Sequence, residues 1–545
     1  MKKLISLLLA LSMVFGLVAC GGNAEAPAET PTEAVSNEAP AVEAAPEAPA
    51  APAEIDNTLH LASLIEGNGD KISYVWNNIA FLGSLMYRTL FLAETDLVTL
   101  KPDLASGYTV SEDGLVYTID FVGGKWSDGE DLTLEDVVFS IGANLKVATS
   151  NGIYTGAFNK IEGAEAWKSG EADSLSGLAV DGNTLTITLT APHSTLPQVL
   201  AQFAILPAHC FEGADLLELH NNAYWSKPVT SGMYTVDEMN AGNYYTLVRN
   251  EYYDGTAPKI DKVIVNLVAD VITAAQAGLV DVTNTNSIDV INELSKLDYM
   301  SMYPVDILFF RYFICNMEGV DGNQNPPMQD VRVRRAILHA IDRETLAEAL
   351  FPGLAHVSNM GTEYEYNPEL AKQLLEEAGY DFNHTFRILY YYSDQGSIDF
   401  MEAIAYYLGE VGMKVEVTQS SQGTQDLFQT RDYDVGYKGL SAFDISEWYG
   451  EYSSSNSNFQ NIFGGDTAFD ELIQKYAAAT TDADKQAILA ELGAKEAELA
   501  YKLPLFTIGN NMFINTGRVS LPDGIVFGNP WYKTDINYEA WEIVG

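Results

Sequence analysis

The sequence is short of cysteine and of basic residues. Three cysteines among 545 residues are too few for a disulfide framework. We therefore predict that Cys210 and Cys315 are unpaired, mostly buried thiols, although the sequence alone leaves a bridge between them open. Lys and Arg number 30 against 75 Asp and Glu, and the formal net charge is −45. Because this charge repels phosphate backbones and anionic lipid surfaces, it argues against nucleic acid as a partner.

Catalytic and cofactor-binding motifs are missing as well. Residues 123–125 (GGK) are similar to part of a phosphate-binding loop, but Ile119 replaces the earlier glycine and Trp126 the following hydroxyl residue. The sequence has no HExxH zinc motif and no GxSxG nucleophile elbow, and its seven histidines are scattered. We therefore expect no catalytic residues, no metal and no cofactor.

Long apolar runs are absent except at the start of the chain. Residues 4–18 follow Lys2 and Lys3 and are too short to span a bilayer, but they have the length of a secretory h-region. Residues 17–20 (LVAC) resemble a bacterial lipobox, in which cleavage precedes the cysteine and its thiol receives a lipid. We predict a signal peptide at 1–19 and lipidation of Cys20; an ordinary secretory signal with a chance cysteine is the alternative.

Residues 20–54 are predicted to be a disordered linker. From residue 21 onward they consist largely of Ala, Pro and Glu, with no Lys or Arg and no hydrophobic periodicity. A self-repelling, proline-rich chain of this kind is extended and holds the folded part away from the membrane. The remainder of the chain should fold as a soluble body without a transmembrane helix.

The first half of the body is predicted to be rich in strands. Residues 183–191 and 114–121 alternate between apolar and polar side chains, which is typical of half-exposed antiparallel strands. Residues 234–248 favour a hairpin that turns near 240–242, and residues 263–268 a buried strand. Between these strands, Thr133 and Asp136 form a capping box ahead of an amphipathic helix.

The second half alternates between helices and strands. A helix is predicted from Asp330, and a second from Asn367 to Gly379, with a polar N-cap at its start and glycine at its end. Residues 386–439 then give a βαβαβ pattern, which implies parallel strands. Two helices at about 468–478 and 483–500 precede a strand-like stretch at 503–514.

Four ordered segments resemble the extracellular solute-binding proteins of the oligopeptide and dipeptide class, the receptor components of bacterial ABC importers. The most specific is 101–133, which includes KPDLA, SEDGLVYTIDF and KWSDGEDLT; TSGMY at 230–234 follows, with Met233 where the family usually has proline. The helix segments 330–344 and 371–379 complete the series. Most of these residues are scaffold. Arg332, Arg334 and Arg335 are expected to form a solvated or ion-paired face rather than an anion site.

The resemblance implies an α/β, two-lobed periplasmic-binding-protein-like fold with a hinge and an interlobe ligand cleft. We expect lobe one at 55–285, including an inserted subdomain at about 88–190, lobe two at 286–503, and a return to lobe one at 504–545. The implied function is capture of small peptides and delivery to ABC permease subunits by a monomer anchored at the extracellular face of the cytoplasmic membrane. The same fold with a non-peptide solute, such as an oligosaccharide or metal chelate, is the main alternative; a lipid-anchored hydrolase or adhesin is less favoured.

Asp444 is the predicted partner of the peptide α-amino group. It follows the last strand of the βαβαβ pattern, and ligands of parallel sheets gather at the carboxyl ends of strands. Peptide-binding relatives carry an aspartate at a similar place, but here Leu440 replaces a tryptophan, Phe443 is an apparent insertion and no proline follows. Glu447 is therefore a competing candidate, and a solvated loop acid is the alternative for both.

Overall fold

The computed structural model describes residues 56–64, 75–76, 80–319, 326–358, 360 and 364–545. The predicted signal peptide, Cys20 and the linker lie outside these residues. Across the described ranges, no helix has both the length and the hydropathy needed to cross a membrane. Cys210 and Cys315 are both free, as predicted, and Cys315 is buried.

The strands of the described residues are, in chain order, β1 (Thr58–Leu64), β2 (Phe91–Ala93), β3 (Leu100–Pro102), β4 (Ala105–Val110), β5 (Val116–Phe121), β6 (Gly124–Lys125), β7 (Asp131–Leu132), β8 (Leu178–Asp181), β9 (Thr184–Thr188), β10 (Tyr234–Asn240), β11 (Tyr244–Arg249), β12 (Lys262–Val268), β13 (Val282–Thr285), β14 (Met300–Val305), β15 (Phe309–Cys315), β16 (Ala355–Val357), β17 (Thr385–Tyr390), β18 (Lys414–Gln419), β19 (Val435–Ser441), β20 (Lys502–Ile508), β21 (Asn510–Asn515), β22 (Val519–Ser520) and β23 (Glu542–Ile543). The α-helices are α1 (Ala80–Met86), α2 (Leu134–Lys146), α3 (Gly152–Phe158), α4 (Ala164–Ser169), α5 (Leu196–Gln202), α6 (Val271–Gln276), α7 (Ile288–Leu294), α8 (Val331–Ala340), α9 (Arg343–Leu350), α10 (Pro368–Ala378), α11 (Gln395–Glu410), α12 (Ile445–Gly450), α13 (Asp470–Ala478) and α14 (Asp482–Leu499).

Two large sheets organise these elements. The first sheet has the order β10-β11-β12-β1-β13-β21-β14, with β1 parallel to β12 and β13. The second has the order β16-β20-β15-β19-β17-β18, and β17 is parallel to both β18 and β19. The βαβαβ prediction is therefore confirmed. We call the part built on the first sheet lobe one and the part built on the second sheet lobe two.

A smaller antiparallel sheet, β4-β5-β9-β8, belongs to lobe one. It contains both alternating segments predicted as half-exposed strands, and its buried Tyr117, Ile119, Leu185 and Ile187 share one hydrophobic core with the first sheet. The predicted hairpin is formed by β10 and β11. This sheet lies within the range expected for an inserted subdomain.

The chain passes between the two large sheets at 306–308 and at Gly509. The first passage separates β14 from β15, and the second separates β20 from β21. These points differ from the expected lobe boundaries at 285/286 and 503/504. The boundary expected at 285/286 lies later in the structure because β14 still pairs with β21 in the first sheet. The boundary expected at 503/504 also lies later, because β20 pairs with β15 of the second sheet along most of its length.

The residues predicted to cap helices α2 and α10 do so in the structure. Thr133 and Asp136 form the capping box of α2, and Asn367 accepts the Leu370 N–H at the start of α10. Gly379 closes α10 in the left-handed conformation, with φ of 69°, which costs a residue without Cβ little. Local sequence signals therefore determine where these helices begin and end.

Of the three arginines of α8 predicted to form a solvated or ion-paired face, only Arg332 does so. Arg332 pairs with Asp330, but Arg334 is buried, and its Nε donates to the Leu499 carbonyl at 3.0 Å. Arg335 donates to the Ala497 carbonyl at the same helix end. Because a helix leaves its last carbonyls without intrahelical donors, these two arginines cap the C-terminus of α14.

Candidate functional site

The candidate site lies at one edge of the second sheet. Strands β17 and β19 are parallel and end there, and the antiparallel β15 begins there, directly after the passage at 306–308. This edge therefore faces lobe one. Because the carboxyl ends of parallel strands meet at one edge of a sheet, side chains that follow β17 and β19 converge on the space between the lobes.

Asp444 is the N-cap of α12. Two residues before it, the Ala442 N–H donates a hydrogen bond to the Leu308 carbonyl. One of its carboxylate oxygens accepts the Ser446 N–H at 2.6 Å. Burial raises the pKa of Asp444, and it outweighs the opposing effects of hydrogen bonds from the Ser446 side chain and N–H and of the Lys485 charge. No described cation lies within 4 Å of the carboxylate.

Glu447 lies in the first turn of the same helix. Its Oε1 accepts the Phe443 N–H at 2.6 Å, next to the N-cap. Burial raises its pKa to about 7, and the nearby Asp444 and Glu451 carboxylates add to that shift. Two neighbouring acids therefore share a partly buried space that, among the described residues, contains no ion-pair partner for either.

Both acids face lobe one. The ring of Phe443, which precedes Asp444, packs edge-on against Tyr532 of the C-terminal segment at 5.0 Å between centroids. Burial raises the pKa of the Tyr532 hydroxyl, and the Glu447 and Asp444 charges raise it further. The structure thus brings the predicted site residues together between the lobes.

A buried charge network fixes the other end of α12. Glu451 accepts from Lys438 at 2.9 Å and from Lys502 at 3.2 Å. Burial opposes ionisation of Glu451, but the two lysines outweigh it and lower its pKa. Lys502 also lies 3.5 Å from the centre of the Trp448 ring, and burial lowers its pKa to about 8. The helix that carries Asp444 is therefore anchored in the core of lobe two.

Lobe one and lobe two touch beside α13. The Ser194 N–H and hydroxyl donate to the Ala477 and Tyr476 carbonyls, at 3.1 and 3.2 Å, and Lys485 donates to the Ser194 carbonyl at 3.3 Å. Cavities of about 180 and 350 Å³ are both lined by Ser194 and Ala477 at this contact. Neither cavity is lined by Asp444 or Glu447.

Arg311 lies at the same edge of the second sheet. It pairs across β15 and β19 with Gly439, and its guanidinium carbon lies 4.2 Å from the ring centres of both Phe309 and Tyr392. A Cβ at Gly439 would collide with the guanidinium, so glycine is required to make room for it. This edge of the sheet therefore carries a positive charge at Arg311, opposite Gly439 of β19, and negative charges at Asp444 and Glu447, which follow the end of β19.

One group of described residues has the composition of a metal site. Asp128, His209 and Cys210 of lobe one bring their ligand atoms within 4.8 Å of one another. His209 Nε2 already lies 2.9 Å from Asp128 Oδ2, a hydrogen bond that explains their proximity without an ion. Burial, with Asp128 and Asp136, raises the pKa of the Cys210 thiol to about 11, which disfavours the thiolate that binds metals.

Comparison with known proteins agrees with this architecture. Residues 99–470 match the family described as bacterial extracellular solute-binding proteins, family 5. The chain belongs to this family. The resemblance predicted from four short segments is thereby confirmed.

The relatives of this chain are distant from it in sequence. A Brucella ovis protein, provisionally named an ABC transporter peptide-binding protein, is 27% identical over 348 residues, which are 60% of this chain and 62% of that protein. The match thus spans less than two thirds of that relative.

Solved structures share the two-lobed fold. The oligopeptide-binding protein AppA of Bacillus subtilis, in complex with a nonapeptide, is 20% identical with a TM-score of 0.63, over 90% of this chain and 99% of AppA. NikZ of Campylobacter jejuni, in complex with Ni(L-His), is 19% identical with a TM-score of 0.66, over 89% of this chain and 99% of NikZ. The predicted two-lobed α/β fold is confirmed.

Sequence reasoning missed two features of the site. The first is that Asp444 and Glu447 cap α12, although an aspartate followed three residues later by glutamate is a recognisable N-terminal signal. The second is Arg311, whose only signal is a single charge in the apolar stretch 307–315 (ILFFRYFIC).

Proposed function

We propose that this protein captures short peptides outside the cell and delivers them to an ABC permease without chemically changing them. The observation that carries the proposal is the pair of acids between the lobes. Asp444 and Glu447 have raised pKa values because they are half-buried and no cation of the described residues lies within 4 Å of either. A bound ammonium group supplies that missing charge.

The proposal assigns the α-amino group of the peptide to Asp444, with Glu447 beside it. One oxygen of each carboxylate is engaged in capping α12, which holds both groups in place. No described cation lies within 4 Å of either carboxylate, so an ammonium donor would be the first positive partner of the pair at contact distance. Membership in the solute-binding family and the peptide-binding name of the Brucella relative support the same ligand class.

A non-peptide solute is the second candidate, because NikZ, with a similar fold, binds a nickel complex of histidine. Ligand identity must therefore be measured directly.

The cellular setting forms part of the proposal. We place the protein as a monomer at the extracellular face of the cytoplasmic membrane, anchored through a lipid on Cys20. The lipobox-like residues 17–20 and the acidic linker support the anchor, and family membership supports an extracellular site. No catalytic role is proposed.

The test is direct identification of the ligand. Mass spectrometry of small molecules that copurify with the protein should reveal peptides. A di- to hexapeptide library should raise the free energy of unfolding by about 2.7 kcal/mol at a hundredfold excess over Kd. Small-angle scattering should show a smaller radius of gyration. If no peptide copurifies and the library changes neither quantity, the peptide assignment is wrong, and nickel–histidine and oligosaccharide panels replace it.

A further inference from the structure

The smaller of the two cavities at the contact between the lobes has an unusual lining for so acidic a chain. Its volume is about 180 Å³, and both lobes contribute to it: Lys160 and His193 come from lobe one, and Ser446 and Tyr449 from α12 of lobe two. Five of its ten described lining residues carry a hydroxyl group and none carries a carboxylate, although Asp and Glu outnumber Lys and Arg by 75 to 30 in the chain. The cavity is therefore lined by one ammonium group and by several other groups that can donate hydrogen bonds.

The charge of Lys160 has no ion-pair partner among the described residues. Its Nζ donates to His193 Nδ1 at 3.0 Å and to the Pro192 carbonyl at 3.3 Å, and no described carboxylate lies within 4 Å of it. Burial lowers its pKa, because an ammonium group removed from water without a counter-charge is disfavoured. The buried Lys502 of lobe two, by contrast, is paired with Glu451. An ammonium group has three N–H donors, and the third donor of Lys160 makes no hydrogen bond with a described residue.

His193 adds a second donor next to this ammonium group. Because an ammonium group can only donate, His193 Nδ1 must accept its hydrogen bond, which places the ring proton on Nε2. Burial, together with the charge of Lys160, lowers the pKa of His193 to about 3, so the ring is neutral at pH 7 and keeps this tautomer. Nε2 lies 3.5 Å from the Thr195 hydroxyl, a distance at which a hydrogen bond is weak. Its N–H and the third donor of Lys160 are therefore both available to an acceptor in the cavity that these residues line.

A structural role alone does not account for the charge. A neutral amide could donate to the Pro192 carbonyl or to His193 Nδ1 without the cost of removing an ammonium group from water. The cavity also has more room than a single bridging water needs, because the share of one water in the liquid is about 30 Å³. An oxyanion would accept from both donors and supply the counter-charge, so it would satisfy the groups that the protein leaves unpaired.

The cavity adjoins the proposed amino-group site. Ser446 lines the cavity, and its N–H donates to the Asp444 carboxylate at 2.6 Å, although Asp444 itself is not among the lining residues. A peptide held at Asp444 therefore has side chains within reach of the cavity. A free anion can enter the same space from solution while the lobes are apart.

We propose that this cavity binds a small oxyanion, a carboxylate or a phosphate group, which Lys160 and His193 of lobe one hold against α12 of lobe two. Because residues of both lobes line the cavity, the bound anion favours the arrangement in which the lobes are together. The anion is either free in solution or the acidic side chain of a bound peptide, and the experiment distinguishes these sources. Only the second source rests on the proposed function.

The first probes are inorganic phosphate and acetate, added to the protein without peptide. Isothermal titration calorimetry and small-angle scattering are carried out at pH 7 against sodium chloride of equal ionic strength, because salt alone screens a net charge of −45. The wild type is compared with Lys160→Gln, which keeps a hydrogen-bond donor, and with Lys160→Arg, which keeps the charge. Lys168→Gln is the matched control, since Lys168 is an exposed lysine of lobe one that pairs with Glu165.

If the anion is free, phosphate or acetate should bind the wild type saturably and reduce its radius of gyration. Lys160→Gln should weaken this binding about ten- to a hundredfold, as expected for the loss of a charge-assisted hydrogen bond. Lys160→Arg should retain part of the affinity, and Lys168→Gln all of it.

The second probes are pairs of tripeptide libraries with free amino termini, in which one position in turn is Glu or Gln. If a peptide side chain supplies the anion, the wild type should bind the Glu library about ten- to a hundredfold more tightly than the Gln library at one position. Lys160→Gln should bind both libraries equally, and the Lys168→Gln control should keep the full preference. Equal binding of Glu and Gln at every position, with saturable binding of phosphate or acetate, would assign the free anion.

Other results would overturn the inference. If neither anion binds saturably and no Glu library exceeds its Gln counterpart, the cavity holds no oxyanion, although binding of both libraries would leave peptide capture standing. If Lys160→Gln binds the anions or Glu peptides as the wild type does, the anion lies elsewhere and the role of Lys160 is structural; circular dichroism and the Tm of each variant test folding independently. If no library binds, the peptide function fails, and the phosphate and acetate titrations still decide whether the cavity is an anion site.

Discussion

Replacing Asp444 by asparagine removes one charge from the candidate site with little change in shape. Asparagine is as good an N-cap as aspartate, so its side-chain oxygen can still accept the Ser446 N–H that begins α12. Burial outweighs the Lys485 charge and already disfavours the ionised carboxyl group in the unliganded protein. The Tm of unliganded Asp444→Asn should therefore equal or exceed that of the wild type.

The effect on binding should be large by comparison. A hydrogen bond between a buried carboxylate and an ammonium contributes about 1.5 to 3 kcal/mol. Since about 1.4 kcal/mol corresponds to a tenfold change in Kd, affinity for a free-amino peptide should fall about ten- to a hundredfold. N-acetylation of the peptide should weaken binding to the wild type by a similar factor, and should cost little further affinity in the variant.

The assay is calorimetric titration of both proteins with a peptide and its N-acetylated form. Asp270→Asn is the matched control, because Asp270 is the N-cap of α6 in lobe one and its side chain accepts the Thr273 N–H at 2.7 Å. That variant should bind like the wild type. Equal affinity of Asp444→Asn and wild type for the free-amino peptide would remove Asp444 from the site and leave Glu447 as the candidate.

Three further predictions concern pH, stability and location. The pKa of Glu447 is raised from 4.5 to about 7, so the native state holds a proton that the unfolded state has lost. The stability of the unliganded protein should therefore fall as pH rises from about 4.5 to 7, while peptide affinity rises. Glu447→Gln should flatten both profiles in chemical denaturation and titration; unchanged slopes would contradict this assignment. Glu451→Gln leaves the fully buried Lys502 without its carboxylate, which should cost about 3 to 5 kcal/mol of unfolding free energy in urea titration, whereas Glu471→Gln, on the surface, should cost nothing measurable. Cys20→Ala should move the protein from the membrane fraction to the soluble fraction without changing its Tm, and an unchanged membrane fraction or a mature N-terminus elsewhere would refute the anchor.

The elements that could be predicted are those with local signals. The capping box at Thr133 and the Asn367 and Gly379 ends of α10 depend on interactions within one turn, so the sequence contains them completely. The strand-like stretch 503–514 shows the limit of this approach. It is mostly apolar, with Asn510 and Asn511 near its middle, and the structure divides it at Gly509 into β20 and β21, which belong to different sheets. Every residue of both strands is buried, so periodicity has no exposed face from which to detect the change.

Side-chain partners were predicted less well because they come from distant parts of the chain. Arg334 is buried against carbonyls at residues 328 and 499, and no local pattern distinguishes it from its exposed neighbour Arg332. The position of Asp444 could be inferred from the end of β19, but whether a cation among the described residues lies within 4 Å of it depends on tertiary packing. Which charged groups come close to a side chain is decided by tertiary packing, and a sequence indicates that packing only through its resemblance to a known family.

The placement of the site also bears on how binding could close the cleft. Arg311 lies three residues after Leu308, at the end of the passage between the lobes, and the Leu308 carbonyl accepts the N–H of Ala442, two residues before Asp444. A peptide whose amino group binds Asp444 would thus contact a residue that adjoins the connection between the lobes. Hinge residues absorb the backbone rotation that accompanies closure. A ligand shifts the equilibrium between an open and a closed form only by the difference in its affinity for the two forms. Binding at Asp444 therefore favours the closed form to the extent that the site needs Tyr532 of lobe one to lie against α12 of lobe two.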